Sequence, residues 1–189
     1  FNGNGYSKEW HAEAEKRGLP NLKNTVDAIP SLISKEAIAL FSKYKVLTER
    51  QLHSRYEIFS ETYVKTINIE AQTMLVMAKT MILPAAVRFQ GEVASTVAST
   101  KAAGADAGAA SDLLKTLATA ISSFSTAIAA LEKVAHAHPE GDTYAHAKYM
   151  RDSVIPKMTE LRTWGDTLET LVADDLWPLP TYREMLFVK

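Results

Sequence analysis

The feature that most constrains the fold of this chain is a faultless apolar repeat between residues 114 and 135. Its apolar residues follow one another at alternating spacings of three and four residues, which is the pattern of a helix that packs along another helix. A matching repeat follows a turn signal at 138–142, so two long helices that return on each other are predicted. The first repeat comprises Leu114, Leu117, Ile121, Phe124, Ile128, Leu131 and Ala135, and the second Ala147, Met150, Val154, Leu161, Trp164, Leu168 and Leu171.

A third and longer helix is predicted upstream of these two. Thr48 and Gln51 have the spacing of a capping box, and no strong stop signal follows before Gly104. At ~1.5 Å per residue such a helix would be on the order of 80 Å long, so a kink is expected at Pro84. Pro156 predicts a second kink in the return helix. The apolar stripe of the long helix is predicted at Leu52, Tyr56, Phe59, Tyr63, Ile67, Ala71, Met74, Ala78, Met81 and Ala85.

The pattern along the chain predicts an all-α fold, an elongated antiparallel bundle of three long helices over 48–176. Residues 1–47 are predicted to form a small helical arm or linker, with Ser7 as an N-cap and Gly18 as a stop. The prolines of 177–189 predict an extended C-terminal tail that docks an aromatic side chain.

Composition excludes several classes of protein. The chain has 189 residues, 47% of them hydrophobic, which is enough for one sizeable core. Its 21 basic and 22 acidic side chains nearly cancel, so nucleic acid is not an expected partner. The absence of cysteine excludes disulfides and thiolate chemistry, and a cytoplasmic location is expected. No run approaches the roughly 18–20 uninterrupted apolar residues of a membrane span, so no membrane partner is predicted either.

The beginning of the chain favours an origin inside a longer polypeptide. Phe1 is not an initiator methionine, and residues 2–5 have the composition of a turn between elements. A removed tag is the alternative explanation.

A search for reactive side chains finds no convincing site. His136 and His138 are two residues apart and would point away from each other on a helix, which argues against a zinc site with His146. No glutamate stands three residues before a histidine, as a di-iron bundle requires. His53, near Arg50 but without a nearby glycine, is a poor match to a phosphotransfer histidine. No phosphate-binding loop or nucleophile elbow is present. We therefore predict no catalytic, cofactor-binding or metal-binding residue.

Two polar residues near the middle of the long helix leave two interpretations open. Asn68 and Glu70 either both face water, or one of them is buried at a helix or subunit contact, where a satisfied polar pair fixes the alignment of the partners. Lys65 and Arg55 are candidate partners for the buried one. Together with Trp177 and Tyr182 of the tail, Asn68, Glu70 and Lys65 are the candidate structural or interface residues.

Separated segments of the sequence resemble one enzyme family. The run YVKTINIEA at 63–71, followed by ILPA at 82–85, is similar to the C-terminal region of type III glutamine synthetases. The stretches NGNGYSKEW at 2–10 and EAEKRGLPNLK at 13–23 resemble the segment after the catalytic core of these enzymes, and WPLPTY at 177–182 resembles their C-terminus. The resemblance covers nearly the whole chain and is weakest over 91–140.

The resemblance implies a parent enzyme that uses ATP and Mg²⁺ to join ammonia to glutamate through a γ-glutamyl phosphate. It also implies a large ring-shaped homo-oligomer with active sites between subunits. None of the family's catalytic motifs can be matched here, so the resemblance implies a non-catalytic helical domain for subunit packing. Its expected partners are the catalytic core of the same chain and neighbouring subunits. A free-standing helical interaction or regulatory module is the alternative, and an independently active bundle enzyme is a third reading.

Overall fold

The computed structural model of the chain describes residues 2–137, 139–180 and 182–186, and the regular structure within them is entirely helical. The predicted all-α class is therefore confirmed. The chain divides into two compact units, the first formed by Phe1–Val64 and Gly141–Lys148, the second by Lys65–Glu140 and Tyr149–Lys189. The predicted divisions at 47 and 176 stay predictions.

The first unit begins with short helices whose ends are set by local side chains. Ser7 Oγ accepts the Trp10 N–H at 3.3 Å, and Ser34 Oγ accepts the Ala37 N–H at 3.1 Å, as N-caps do. Gly18, with φ +70°, ends the first helix as predicted. The elements are α1 Lys8–Lys16, α2 Thr25–Ala28, a 3₁₀ turn Ile29–Ile33, α3 Lys35–Lys43, the first part of α4 Glu49–Met77, and most of α7 Thr143–Tyr149.

The predicted capping box starts α4. The Thr48 N–H donates to Gln51 Oε1 at 2.8 Å, and the Gln51 N–H donates to Thr48 Oγ1 at 3.3 Å. The backbone then stays helical from Glu49 to Ala102, through a π-turn at Ala78–Ile82 and helix α5, Leu83–Ala102. The long upstream helix of the prediction is present.

Each of the two prolines predicted to kink a helix follows a π-turn. The π-turn Ala78–Ile82 ends two residues before Pro84, and the π-turn Met150–Val154 ends two residues before Pro156 at the start of α8, Ile155–Glu169. A proline ring inside a helix clashes with the carbonyl four residues earlier, which is inside the π-turn in both cases. The wider turn makes room for the ring, so the helical path continues instead of breaking.

Helix α6, Gly108–Ala135, packs on both α5 and α8 and supplies much of the core of the second unit. Leu117, Phe124 and Leu131 are at most 1% exposed, which confirms the predicted apolar face. Near its C-terminal end, Glu132 forms an ion pair with Lys79, and the Val134 carbonyl accepts the Tyr149 hydroxyl at 3.0 Å.

By length and composition alone, α6 could cross a membrane, since one 18-residue window reaches a mean hydropathy of 1.3. The expectation that the chain has no membrane partner stays a prediction. One such helix is weak support for a membrane span, because a core helix of a globular protein meets the same criterion.

The predicted apolar stripe of α4 is wrong at Phe59, whereas Leu52 of the same stripe is fully buried as predicted. Phe59 is 44% exposed, whereas its neighbour Ser60 is fully buried. Burial recurs at Leu52, Ser60, Ala71 and Leu75, close to the helical period of 3.6 residues. The prediction followed the larger apolar side chain at 59, but the turn of the helix places 60 on the inner face.

Ser60 carries a buried hydroxyl with no hydrogen-bond partner among the described residues. An unsatisfied buried polar group costs about 1–3 kcal/mol, and alanine is also the better helix former. We expect Ser60→Ala to raise the free energy of unfolding by about 1 kcal/mol in urea denaturation. The matched control is Ser54→Ala, which makes the same change at an exposed position of α4. A loss of stability in Ser60→Ala relative to Ser54→Ala would mean that the hydroxyl has a partner.

The C-terminal tail departs from the prediction in part. Residues 177–180 are not helical, in agreement with the two prolines there. Beyond them the chain forms a short helix, α9, over Tyr182–Leu186, so the prediction of a fully extended tail is wrong. The restriction imposed by a proline acts on the residue before it, and none follows Pro180 to prevent a helical turn.

Candidate functional site

A groove in the second unit is lined by the C-terminal half of α4 and by α8. It consists of two adjoining cavities of about 360 Å³ and about 540 Å³, whose walls share Met74 and Arg162. We call this feature the α4–α8 groove. These volumes lie in the range of sites that bind small molecules or peptide side chains.

The smaller cavity is lined in part by the segment that follows α8. Its lining is largely apolar and includes Met77, Phe124 and Leu161, together with Trp177 and Pro180 of that segment. The predicted docking of an aromatic tail residue therefore has a counterpart at Trp177, which is half-buried there. The indole Nε1 of Trp177 is buried and has no hydrogen-bond partner among the described residues.

The larger cavity has charged groups at an apolar surface. Ile67, Ile155 and Met158 provide apolar walls, and Glu70 and Arg162 add one charge of each sign. Arg162 Nε lies 3.5 Å from Asp166 Oδ2 one turn along α8, an exposed pair that adds little to stability. The groove is thus an apolar surface with a few charges that could orient a partner.

An exposed apolar stripe runs along α4 beside the larger cavity. It consists of Ile69, Thr73 and Val76 of α4 and Thr80 of the π-turn that follows, at spacings of four, three and four, and we call it the α4 stripe. Ile69 is 65% exposed and Val76 is 60% exposed. The hydroxyls of Thr73 and Thr80 donate to the Ile69 and Val76 carbonyls at 2.8 and 2.7 Å. Since these hydroxyls are satisfied within the helix, the stripe offers mainly methyl groups to its surroundings.

The structure separates the predicted candidate residues. Asn68 is partly buried, Lys65 is exposed, and Glu70 is exposed at the wall of the groove. Trp177 lines the same groove, whereas the side chain of Tyr182, at the start of α9, lies outside the described residues. Of the predicted candidates, Glu70 and Trp177 therefore both line the groove, Glu70 in the larger cavity and Trp177 in the smaller one.

Sequence reasoning missed both Arg162 and the α4 stripe. The stripe has a readable signal, because its four β-branched residues repeat at the spacing of a helix-packing face. Arg162 has no such signal in the sequence, because an arginine on a helix is ordinarily solvated. Only the fold brings Arg162 and α4 to the same groove.

Glu132 in the second unit has a carboxylate whose pKa is changed by its neighbours. A hydrogen bond from Lys79, reinforced by its charge and by His136, lowers the pKa of Glu132 below its ordinary value of 4.5. The pair is exposed and ties the π-turn before Pro84 to α6. Among the described residues, which omit His138, no group of three metal-binding side chains lies close enough to hold an ion.

Comparison with known proteins fixes the family. A family model described as the glutamine synthetase C-terminal domain matches residues 1–101, more than half of the chain. The chain belongs to this family. The resemblance to type III glutamine synthetases is thereby confirmed, and the matched region of this C-terminal domain includes all of α1 to α4 and nearly all of α5.

Three relatives align with the domain over almost its entire length. It is 36% identical over 190 residues to a glutamine synthetase of Butyrivibrio fibrisolvens and 34% identical over 196 residues to a type-3 glutamine synthetase of Dictyostelium discoideum. It is 28% identical over 198 residues to a glutamine synthetase of Bacteroides fragilis strain YCH46. The alignments cover 99–100% of this chain and 27% of each relative. The chain thus spans about a quarter of the length of the relatives it matches.

Proposed function

We propose that this chain is a non-catalytic C-terminal helical domain of a type III glutamine synthetase and serves the packing of its subunits. The observation that carries the proposal is the α4 stripe. Ile69 and Val76 are both more than half exposed on one helical face, at the spacing by which helices pack together. Regular apolar faces of this kind are expected to be covered by a partner.

Burial of the stripe would contribute usefully to an interface. Covering an Ile or Val side chain completely is worth about 1.5–3 kcal/mol, so two such residues can change an association constant by orders of magnitude. The stripe contains no charged residue, and charged residues are depleted at the centres of interfaces. The expected partners are the catalytic core of the same polypeptide and, above all, neighbouring subunits of a closed homo-oligomer.

The proposal assigns the chemistry to the parent enzyme. We propose that the parent enzyme is an ATP- and Mg²⁺-dependent ligase that makes glutamine from glutamate and ammonia in the cytoplasm. The relatives' name, glutamine synthetase, supports the synthesis of glutamine. The domain itself contributes no catalytic residue in this account. Its role is to hold subunits in the arrangement that the active sites need.

The proposal also includes an antiparallel arrangement of α5, α6 and α8 within the second unit. Two pairs of neighbours support it. Lys79, just before α5, pairs with Glu132 near the end of α6. A Cβ placed on Gly165 of α8 would lie 3.7 Å from the ring of Phe124 in the middle of α6. Such a bundle presents long rigid faces to a partner.

Removal of the domain tests the proposal. We expect the whole enzyme to be a large homo-oligomer by light scattering, and an enzyme that ends just before Asn4 to be a smaller species. Circular dichroism of the truncated enzyme provides the control that its remaining part is folded. An oligomer of unchanged subunit number would contradict the proposal and favour a regulatory or free-standing interaction module.

A further inference from the structure

We propose that Tyr144 is a latch that holds the N-terminal arm, residues 2–47, to the start of α7. Its hydroxyl donates to the Val26 carbonyl of α2 at 3.1 Å, between positions 118 residues apart in the sequence. Loss of this contact would open the arm while α4 stays folded. In the proposed parent enzyme the arm would join the catalytic core to the long helices, so an open latch would let the two move independently. That last consequence rests on the proposed function, whereas the latch belongs to the chain itself.

The Val26 carbonyl needs a donor from outside its own segment. In a helix it would accept the N–H four residues later, but that position is Pro30, which has no N–H. The carbonyl before it, that of Thr25, does accept the N–H of Ile29. Val26 is fully buried, so water does not reach its carbonyl. The Tyr144 hydroxyl therefore supplies the donor that the proline removes.

The arm has little other buried surface to hold it closed. Among residues 2–47 only Val26 and Ile29 are buried, and helices α1 and α3 contain no buried residue. Segments with few buried apolar contacts open locally at a small cost in free energy. A single buried hydrogen bond can therefore be a large part of what keeps this arm closed.

Neighbours in the same unit hold the ring of Tyr144. Its centroid lies 5.9 Å from that of Tyr56 in α4, in a tilted arrangement that aromatic pairs favour. The Lys148 ammonium lies 4.5 Å from the Tyr144 centroid, within the range of a cation–π contact. Burial, and next the charge of Asp142, raise the pKa of Tyr56 above its ordinary value of 10.0. These contacts keep the ring in the position from which its hydroxyl reaches α2.

The turn before α7 determines where Tyr144 stands. Asp142 Oδ1 accepts the Ala145 N–H at 2.8 Å and so caps the helix. Gly141 has φ +129°, and a Cβ on it would lie 2.7 Å from the Ala145 Cβ, so a side chain at 141 would not fit. Residues 141–148 belong to the same compact unit as residues 1–64. The local sequence thus defines the start of α7 and with it the donor of the latch.

Hydrogen–deuterium exchange of the 189-residue chain tests the latch. Tyr144→Phe removes the hydroxyl, keeps the ring and leaves the buried Val26 carbonyl without a donor. We expect the amides of residues 25–34 to exchange about tenfold faster, because an unsatisfied buried carbonyl strongly disfavours the closed arm. The amides of residues 49–64 in α4 should keep their exchange rates.

The matched control is Tyr149→Phe, which also removes a hydroxyl that donates to a backbone carbonyl, that of Val134 at 3.0 Å. The Val134 carbonyl keeps the Ala137 N–H as a donor at 3.3 Å, so exchange over 25–34 should not change. Lys148→Gln removes the cation over the Tyr144 ring but keeps the hydroxyl. We expect this exposed substitution to speed exchange over 25–34 by only about twofold to fivefold.

Two results would overturn the latch. One is unchanged exchange over 25–34 in Tyr144→Phe, which would mean that the hydroxyl does not hold the arm. The other is an equal increase over 25–34 and 49–64, which would mean that the hydroxyl supports the whole unit instead of the arm. Neither result bears on the subunit number of the parent enzyme, which removal of the domain tests separately.

Discussion

Replacing Phe124 by alanine is expected to lower the free energy of unfolding by about 3–5 kcal/mol, the usual cost of deleting a buried aromatic side chain. Phe124 is 1% exposed in the middle of α6, and its ring is the nearest neighbour of Gly165 across to α8. Phe124 also lines the smaller cavity. Its loss would enlarge a void that already exists, so little relaxation is available to reduce the cost.

The paired measurement is Phe59→Ala. The sequence pattern places Phe59 on the buried stripe, but the structure leaves it 44% exposed. We expect this change to cost no more than about 1 kcal/mol, because much of the ring already contacts water. Urea denaturation of both variants, followed by helical circular dichroism, gives the comparison. Equal losses from the two substitutions would contradict the burial described for α4 and α6.

Much of the fold could be predicted because local rules govern it. Ser7, Ser34 and the Thr48–Gln51 box cap helices where the sequence places them, since capping depends on residues within one turn. The apolar repeat of α6 is equally local and is buried as expected. The helix over 182–186 was missed because the prolines before it dominated the interpretation of the tail.

The predictions that were wrong, and the features that could not be predicted, depend on contacts between residues distant in sequence. Whether residue 59 or residue 60 faces inward depends on the rotation of α4 about its own axis. The large apolar side chain of Phe59 led to the wrong choice, because size and hydrophobicity do not define that rotation. The π-turn before Pro84 adds a further rotation that a regular 3.6-residue count does not contain. The α4–α8 groove could not be predicted at all, since Glu70 and Arg162 come together only through the fold.

Charging the α4 stripe is expected to have the other large effect, on assembly instead of stability. The double substitution Ile69→Asp and Val76→Asp places two carboxylates at the centre of the proposed subunit contact. Burying an unpaired carboxylate is strongly unfavourable, and the apolar contribution of both side chains is lost as well. We expect association to weaken at least about 100-fold. Because both side chains are exposed in the single chain, folding should survive.

The matched control is Leu22→Asp with Leu40→Asp, at two leucines that are 46% and 56% exposed in the first unit. It adds the same charge without touching the stripe. Unchanged circular dichroism of both double variants would show that any difference in assembly arises at the surface. The control variant should keep the subunit number of the parent enzyme.

The central claim is that this domain packs subunits together through α4. Light scattering of the whole enzyme carrying Ile69→Asp and Val76→Asp, beside the Leu22→Asp and Leu40→Asp control, tests it most directly. The account predicts that the stripe variant falls to a smaller folded species while the control keeps its full mass. A stripe variant that keeps the subunit number of the unaltered enzyme would contradict the account.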